Sequence, residues 1–403
     1  MVAEFRALLR LLMARQGWTM PALARHCSYS RQYVWEVATG RKRATPEVAR
    51  AFDVALRAGG SLLDTVTADD GTVTAEGDTM RRRTVLAGAS AAVGGALTGV
   101  AGVLLHIDPT EAAAPVGDVR AAIRQARADF AAVRLRQLSA RLPSLITAVE
   151  AARENATSGR RDETAAMAAD VYRLTARLAT KLHEHGVAWA AVDRATRAAH
   201  QSGCSRAVAQ VARAATVVLR RSGDGDHAQR VIVDAAHRLR TDTKLADGRD
   251  ASLYAEMLAT AAYTAAAGDR RDEAWTCAGE AGAALAAAPP GPGFGVNELE
   301  LFRSGIARLL GDFGQAVDHA GRVRVDLLPT TERRARFWQD AALAWWGRGR
   351  RREAWEALRE AERVAPQEVR YRPWARDLAS GLLSTPGPQL SGLREFAART
   401  GLG

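Results

Sequence analysis

The chain has 403 residues, 47% of them hydrophobic and 25% charged, which is enough for two or three domains with their own buried interiors and excludes wholesale disorder. Its formal net charge of +11 favours polyanionic partners. Cys27, Cys204 and Cys277 stand far apart without a CxxC pair, so neither a disulfide framework nor a zinc site is encoded and a reducing cytosol is the expected compartment. Only Lys42, Lys181 and Lys244 are lysines among 56 basic residues, and alanine abounds, the mark of a GC-rich genome.

The N-terminus carries Glu4, Arg6 and Arg10 within its first turns, so no secretory signal is expected. Residues 1–66 hold ten Lys/Arg against five Asp/Glu, a basic head suited to nucleic acid. A first helix is predicted from Glu4 to Gln16, with Phe5, Leu8, Leu9 and Leu12 as its core stripe, and Gly17 stops it. Thr19 and Pro21 start a short second helix over Ala22–His26, and a Ser-Tyr-Ser turn follows. Ser30 then caps a third helix over Arg31–Thr39, Gly40 ends it, and Thr45-Pro46-Glu47 opens a fourth. On the third helix Val34 and Val37 point inward, leaving Arg31, Gln32, Trp35 and Glu36 outward.

The segment TMPALARHCSYSRQYVWEVATGRKRATPEVARAFDVAL (19–56) resembles the Cro/repressor (XRE) helix-turn-helix family. The resemblance implies that Arg31, Gln32 and Glu36 face base edges in the major groove of double-stranded DNA, where Arg suits guanine, Gln suits adenine and Glu accepts from cytosine. It implies phosphate contacts from Ser30, Thr39, Arg41, Lys42 and Arg43. Met20 departs from the family, which often has Gln there, and puts one contact in doubt. Without the resemblance, the head would be a small helical packing domain with a solvated basic face.

Residues 67–115 read as a linker. Within it, 84–105 runs 22 residues without a charge, flanked by Arg81-Arg82-Arg83 and by His106 and Asp108. Length and flanks allow a single membrane span with the head inside; five Gly and six Ala against four Leu argue for an Ala/Gly connector instead.

Residues 116–385 show apolar spacings of three and four with Gly/Pro breaks, which predicts successive helical hairpins. A breaker-then-helix phrase recurs at Gly186 with Ala188-Trp189, Gly225-Asp226 with Ala228, and Gly268-Asp269 with Ala274-Trp275. It returns at Gly311-Asp312-Phe313 with Ala316 and at Gly349-Arg350 with Ala354-Trp355. Five units at a near-constant period predict a solenoid, in which small alanines let antiparallel helices approach closely. LLGDFGQAVDHA (309–320) and REAERVAP (359–366) resemble tetratricopeptide repeats, in units longer than that family's, over roughly 160–380. That resemblance implies a concave surface for a peptide, small-molecule or protein effector. An interruption of the stack is predicted near Gly282 and Gly291, and 386–403 is expected to be a tail.

Enzyme signals are weak. His183-Glu184-His185 lacks metal-ligand spacing, Gly291–Gly295 has neither a preceding strand nor a Lys-Ser/Thr, and Asp224 with Asp226 lacks the rest of a calcium loop. Trp189, Trp275, Trp338, Trp345, Trp346 and Trp355 read as packing between units. The expectation is an all-α, non-enzymatic regulator with no cofactor or metal: a helix-turn-helix head plus an α-solenoid, cytoplasmic and homodimeric. The rival is an interaction scaffold, soluble or tethered to the inner membrane, that uses its head for docking.

Overall fold

A computed structural model describes residues 5–6, 8–9, 12–13, 20–27, 29, 31–39, 44–56, 58–67, 97–106, 115–289, 291–385 and 387–401. The chain divides into two units, 1–86 and 87–403. In the first, the described residues between 5 and 13 are helical (α1), followed by α2 (Met20–His26), α3 (Arg31–Thr39), α4 (Pro46–Ala55) and α5 (Ser61–Thr67). Phe5, Leu9 and Met13, spaced four apart, meet Leu23, Val34, Val37, Phe52, Leu56 and Leu62 in one apolar core. The predicted cap of the fourth helix is present, with the Thr45 hydroxyl accepting from the Val48 amide at 3.3 Å.

The second unit begins with a helix over 97–105 (α6) and continues as antiparallel hairpins. The first three are α7 (Val116–Ala131) with α8 (Leu135–Glu154), α9 (Arg161–Lys181) with α10 (His185–Gln201), and α11 (Ser205–Arg221) with α12 (Gly225–Thr243). The next three are α13 (Gly248–Ala267) with α14 (Arg271–Ala287), α15 (Val296–Leu309) with α16 (Phe313–Arg322), and α17 (Thr331–Gly347) with α18 (Arg351–Val364). The short α19 (Pro366–Arg370), α20 (Pro373–Ser384) and α21 (Leu393–Arg399) close the chain. The leading helices α9, α11, α13, α15 and α17 pack on one another in order, forming an inner layer, while each trailing helix packs on the next leading one. This is an all-α solenoid.

One local device builds all six hairpins. Val133, His183, Gly223, Asp269, Gly311 and Gly349 each take a left-handed backbone, with φ between 57° and 89°. The amide after each donates to the carbonyl five residues back at 2.8–3.1 Å, from Arg134 to Asp129 through to Arg350 to Trp345, which is the Schellman closure of a helix. Five residues beyond each left-handed position lies a buried side chain: Leu138, then Ala188, Ala228, Ala274, Ala316 and Ala354. The repeating alanines read from the sequence are therefore the close-approach points. Gly186, Gly225 and Gly268 stand beside the turn rather than at it.

Exposed His183 occupies a conformation that costs a non-glycine residue roughly 1–2 kcal/mol. His183→Gly should therefore stabilise the chain by about 0.5–1 kcal/mol, read as a higher thermal midpoint. An unchanged or lower midpoint would mean that the His183 ring, 6.3 Å edge-on from that of His185, contributes more than its backbone costs.

Two expectations need correction, and a third lies partly outside the described residues. The linker assigned to 67–115 contains α6, which belongs to the solenoid: Leu97, Val100 and Leu104 form a buried stripe, and the Arg194 guanidinium donates to the Leu104 carbonyl at the helix end. Among the described residues no helix is long and apolar enough to cross a membrane, and 84–96 lies outside them. The expected tail at 386–403 forms α21, whose Leu393 and Phe396 are buried against Trp355, because their three-residue spacing makes an apolar face.

The last hairpins return to the first. Lys181 on α9 reaches Glu332 on α17 at 2.9 Å and Glu368 on α19 at 3.0 Å, and the Arg136 amide donates to Gln367 at 3.1 Å. Burial alone would raise both carboxyls; Lys181 and nearby arginines outweigh it and hold them below the ordinary glutamate value.

Candidate functional site

In the head, α3 is presented by its inner face. Val34, Val37 and Ala38 are buried, and the connection from α2 is fixed by the Tyr29 amide donating to the Ala24 carbonyl at 3.0 Å. Tyr29 stacks on Tyr33 at 5.2 Å and meets Phe52 edge-on at 6.0 Å, so the turn is pinned to α3 and α4 together. The Cys27 thiol, its pKa raised by burial, donates weakly to the Ala51 carbonyl at 3.6 Å and is structural. Asp53, 6% exposed, accepts from the Gly60 amide at 3.0 Å and the Leu63 amide at 2.6 Å, tying α4 to the start of α5.

Of the predicted base-reading residues, Arg31 and Gln32 open α3 and Glu36 stands just over one turn later, half-buried along with Trp35. Burial, and then the neighbouring Tyr29 and Glu36, push the Tyr33 phenol above its ordinary 10, so it stays protonated near neutrality. Thr39 closes α3; Ser30, Arg41, Lys42 and Arg43 lie outside the described residues. Asp53 and the Tyr29–Tyr33 pair, which fix the geometry of α3, were not singled out from sequence. A signal for Asp53 lay in its position ahead of Gly59-Gly60-Ser61, a turn followed by a helix start.

In the solenoid, the inner helices enclose a cavity of about 390 Å³. Arg127 on α7, Arg173 and Arg177 on α9, Arg213 on α11 and Arg333 on α17 line it, opposed by Glu256, Glu298 and Glu332. Phe130, Leu174, Leu253 and Phe294 supply an apolar wall. An interruption was expected near Gly282 and Gly291; Gly282 lies within α14, while the Gly291–Gly295 loop brings Gly293 and Phe294 to the cavity, and Ser252 donates to the Phe294 carbonyl at 3.0 Å. At Gly293, with φ +138°, a Cβ would lie 2.3 Å from the Ser252 hydroxyl, so only glycine fits.

His183 lies in the α9–α10 turn and His185 opens α10; among the described residues no group of three or more His, Cys, Asp or Glu side chains could hold a metal ion. The tryptophans act mainly as packing. Trp355 is buried, with its indole donating to the Ser391 carbonyl at 3.0 Å, Trp338, Trp345 and Trp346 pack against the same apolar cluster, and Trp275 stacks on His319. Trp189 stands apart, 41% exposed, its indole donating to Ser222.

Residues 4–66 match the family model of a helix-turn-helix domain. No curated protein and no solved structure matches the chain.

Proposed function

We propose that this chain is a cytoplasmic, sequence-specific transcription regulator whose head is of the Cro/repressor type and whose tetratricopeptide-like tail mediates dimerisation, effector sensing or both. The match of a helix-turn-helix domain to 4–66 carries the reading. Within that domain α3 is buried along Val34 and Val37, the packing a reading helix needs if its other face is to enter the major groove. Two such helices about 34 Å apart read successive turns of DNA, so an effector that alters dimer geometry would change operator affinity. Binding rather than catalysis is the whole activity in this reading.

Genome-wide binding sites of the tagged protein supply the operator, and variants then test the residues. Arg31→Ala or Gln32→Ala should weaken operator binding by roughly 1–3 kcal/mol and leave nonspecific binding nearly intact. Arg41→Ala or Lys42→Ala should weaken all sequences alike and flatten the salt dependence by about one unit each. Equal losses on operator and random DNA for Arg31→Ala would refute the base-reading assignment.

A further inference from the structure

The charges that line the solenoid cavity can be accounted for almost completely. Asp170 takes Arg127 and Arg173, Glu256 takes Arg213 and Arg333, and Glu332 takes Lys181. Glu298 reaches back to the Gly295 amide at 3.2 Å and caps its own helix. Arg177 remains: among the described residues it has neither a hydrogen bond nor an ion pair. It is partly buried and lines the cavity. One turn earlier on α9, the Nε of Arg173 is a buried donor without an acceptor.

The Arg177 guanidinium lies 4.0 Å from the centroid of the Phe130 ring. That contact holds the guanidinium carbon over the ring, and because no protein acceptor among the described residues takes its N–H groups, they can take a carboxylate through two parallel hydrogen bonds. Burial first, and then Arg173, Arg213 and Arg333, push its pKa down to about 9, with Glu332 opposing them. Guanidinium does not give up its proton at neutral pH, so the folded chain holds one cation at a cost that an incoming anion relieves.

We infer that the cavity is a binding site for a small monocarboxylic acid with an aromatic or branched apolar body, its carboxylate on Arg177 and its body against Phe130, Leu174, Leu253 and Phe294. The cavity volume falls in the range that holds a small organic molecule rather than a folded partner. Naming this acid as the effector rests on the regulator reading above; the site itself does not.

Calorimetry on the full chain tests the site with 3-phenylpropionate and its uncharged isostere 3-phenylpropanamide. The acid should bind about 10- to 100-fold more tightly than the amide. Arg177→Met, which keeps the stem, should bring the acid down to the amide's affinity and raise the thermal midpoint of the protein without probe. Arg177→Lys, which keeps the charge without the fork, should fall between. Acid and amide binding alike, no acid binding at millimolar concentrations, or undiminished binding by both variants overturns the site. A parallel operator titration separates the two readings: acid bound with operator affinity unchanged upholds the site and overturns its effector role, whereas absence of operator binding in every condition overturns the regulator reading alone.

Discussion

Asp340→Ala should destabilise the solenoid by about 3 kcal/mol, the low end for breaking a buried pair, because the two arginines it strands are themselves only partly buried. Asp340 is 1% exposed on α17 and accepts from Arg308 of α15 at 2.9 Å and from Arg336 at 2.6 Å. Arg308 also donates to the Tyr263 hydroxyl at 3.1 Å, and the guanidinium of Arg336 lies 4.8 Å from that ring, so three inner helices meet at one carboxylate. Burial alone would raise its pKa; Arg336 and Arg308 outweigh burial and hold it below the ordinary 3.8. A carboxyl with a depressed folded pKa contributes stability above its unfolded value and loses it as the pH falls through the folded one. The gap between wild type and variant should therefore be widest near neutrality and close below pH 3.8. Denaturant titrations followed by the fluorescence of Trp338, Trp345 and Trp346 measure it, and a loss under about 1 kcal/mol at pH 7 would contradict the account.

Phe52→Ala should abolish DNA binding without touching the solenoid. Phe52 is wholly buried, and truncating such a ring costs about 3–5 kcal/mol. A single helical core of this size supplies roughly that much in total, so the variant head is largely unfolded at 37 °C. The solenoid has separate cores, and its thermal transition should stay where it is in the intact protein. Two transitions by circular dichroism, the first lost and the second unmoved, together with absent operator binding, are the expected result. A parallel fall in both would show that the units fold as one.

Head and solenoid differ in how far their residues announced them. The head was legible because caps, turn and core stripe lie within a few residues of one another, as Thr45 with Val48 and Phe5 with Leu9 illustrate, although Leu8 and Leu12 of the expected stripe are half-buried and Met13, not expected there, is buried in their place. The solenoid was legible where glycine marks the turn and alanine the close approach, as at Gly311 with Ala316 and Gly349 with Ala354. The α7–α8 hairpin escaped because Val133 and Leu138 stand at those two positions, and neither resembles a turn former or a small contact residue. Arg177 could not be singled out either, since a missing partner is a property of the assembled inner layer, with no local pattern behind it. The side chains of Arg31 and Gln32 are not among those described, so for them the base-reading assignment still rests on register along α3.

The bridge from Lys181 to Glu332 and Glu368 changes how such a stack can come apart. An open row of hairpins unravels from either end, each unit leaving at its own cost, because every contact is with a neighbour. Here the second hairpin and the last hold one another across more than 150 positions of chain, contacts that close late in folding because a long loop must be ordered first. Once closed, the last hairpin no longer frays independently of α9. Amide exchange in α9 and α17 should then be governed by the same opening event, while Lys181→Met should let the later hairpins exchange ahead of the rest.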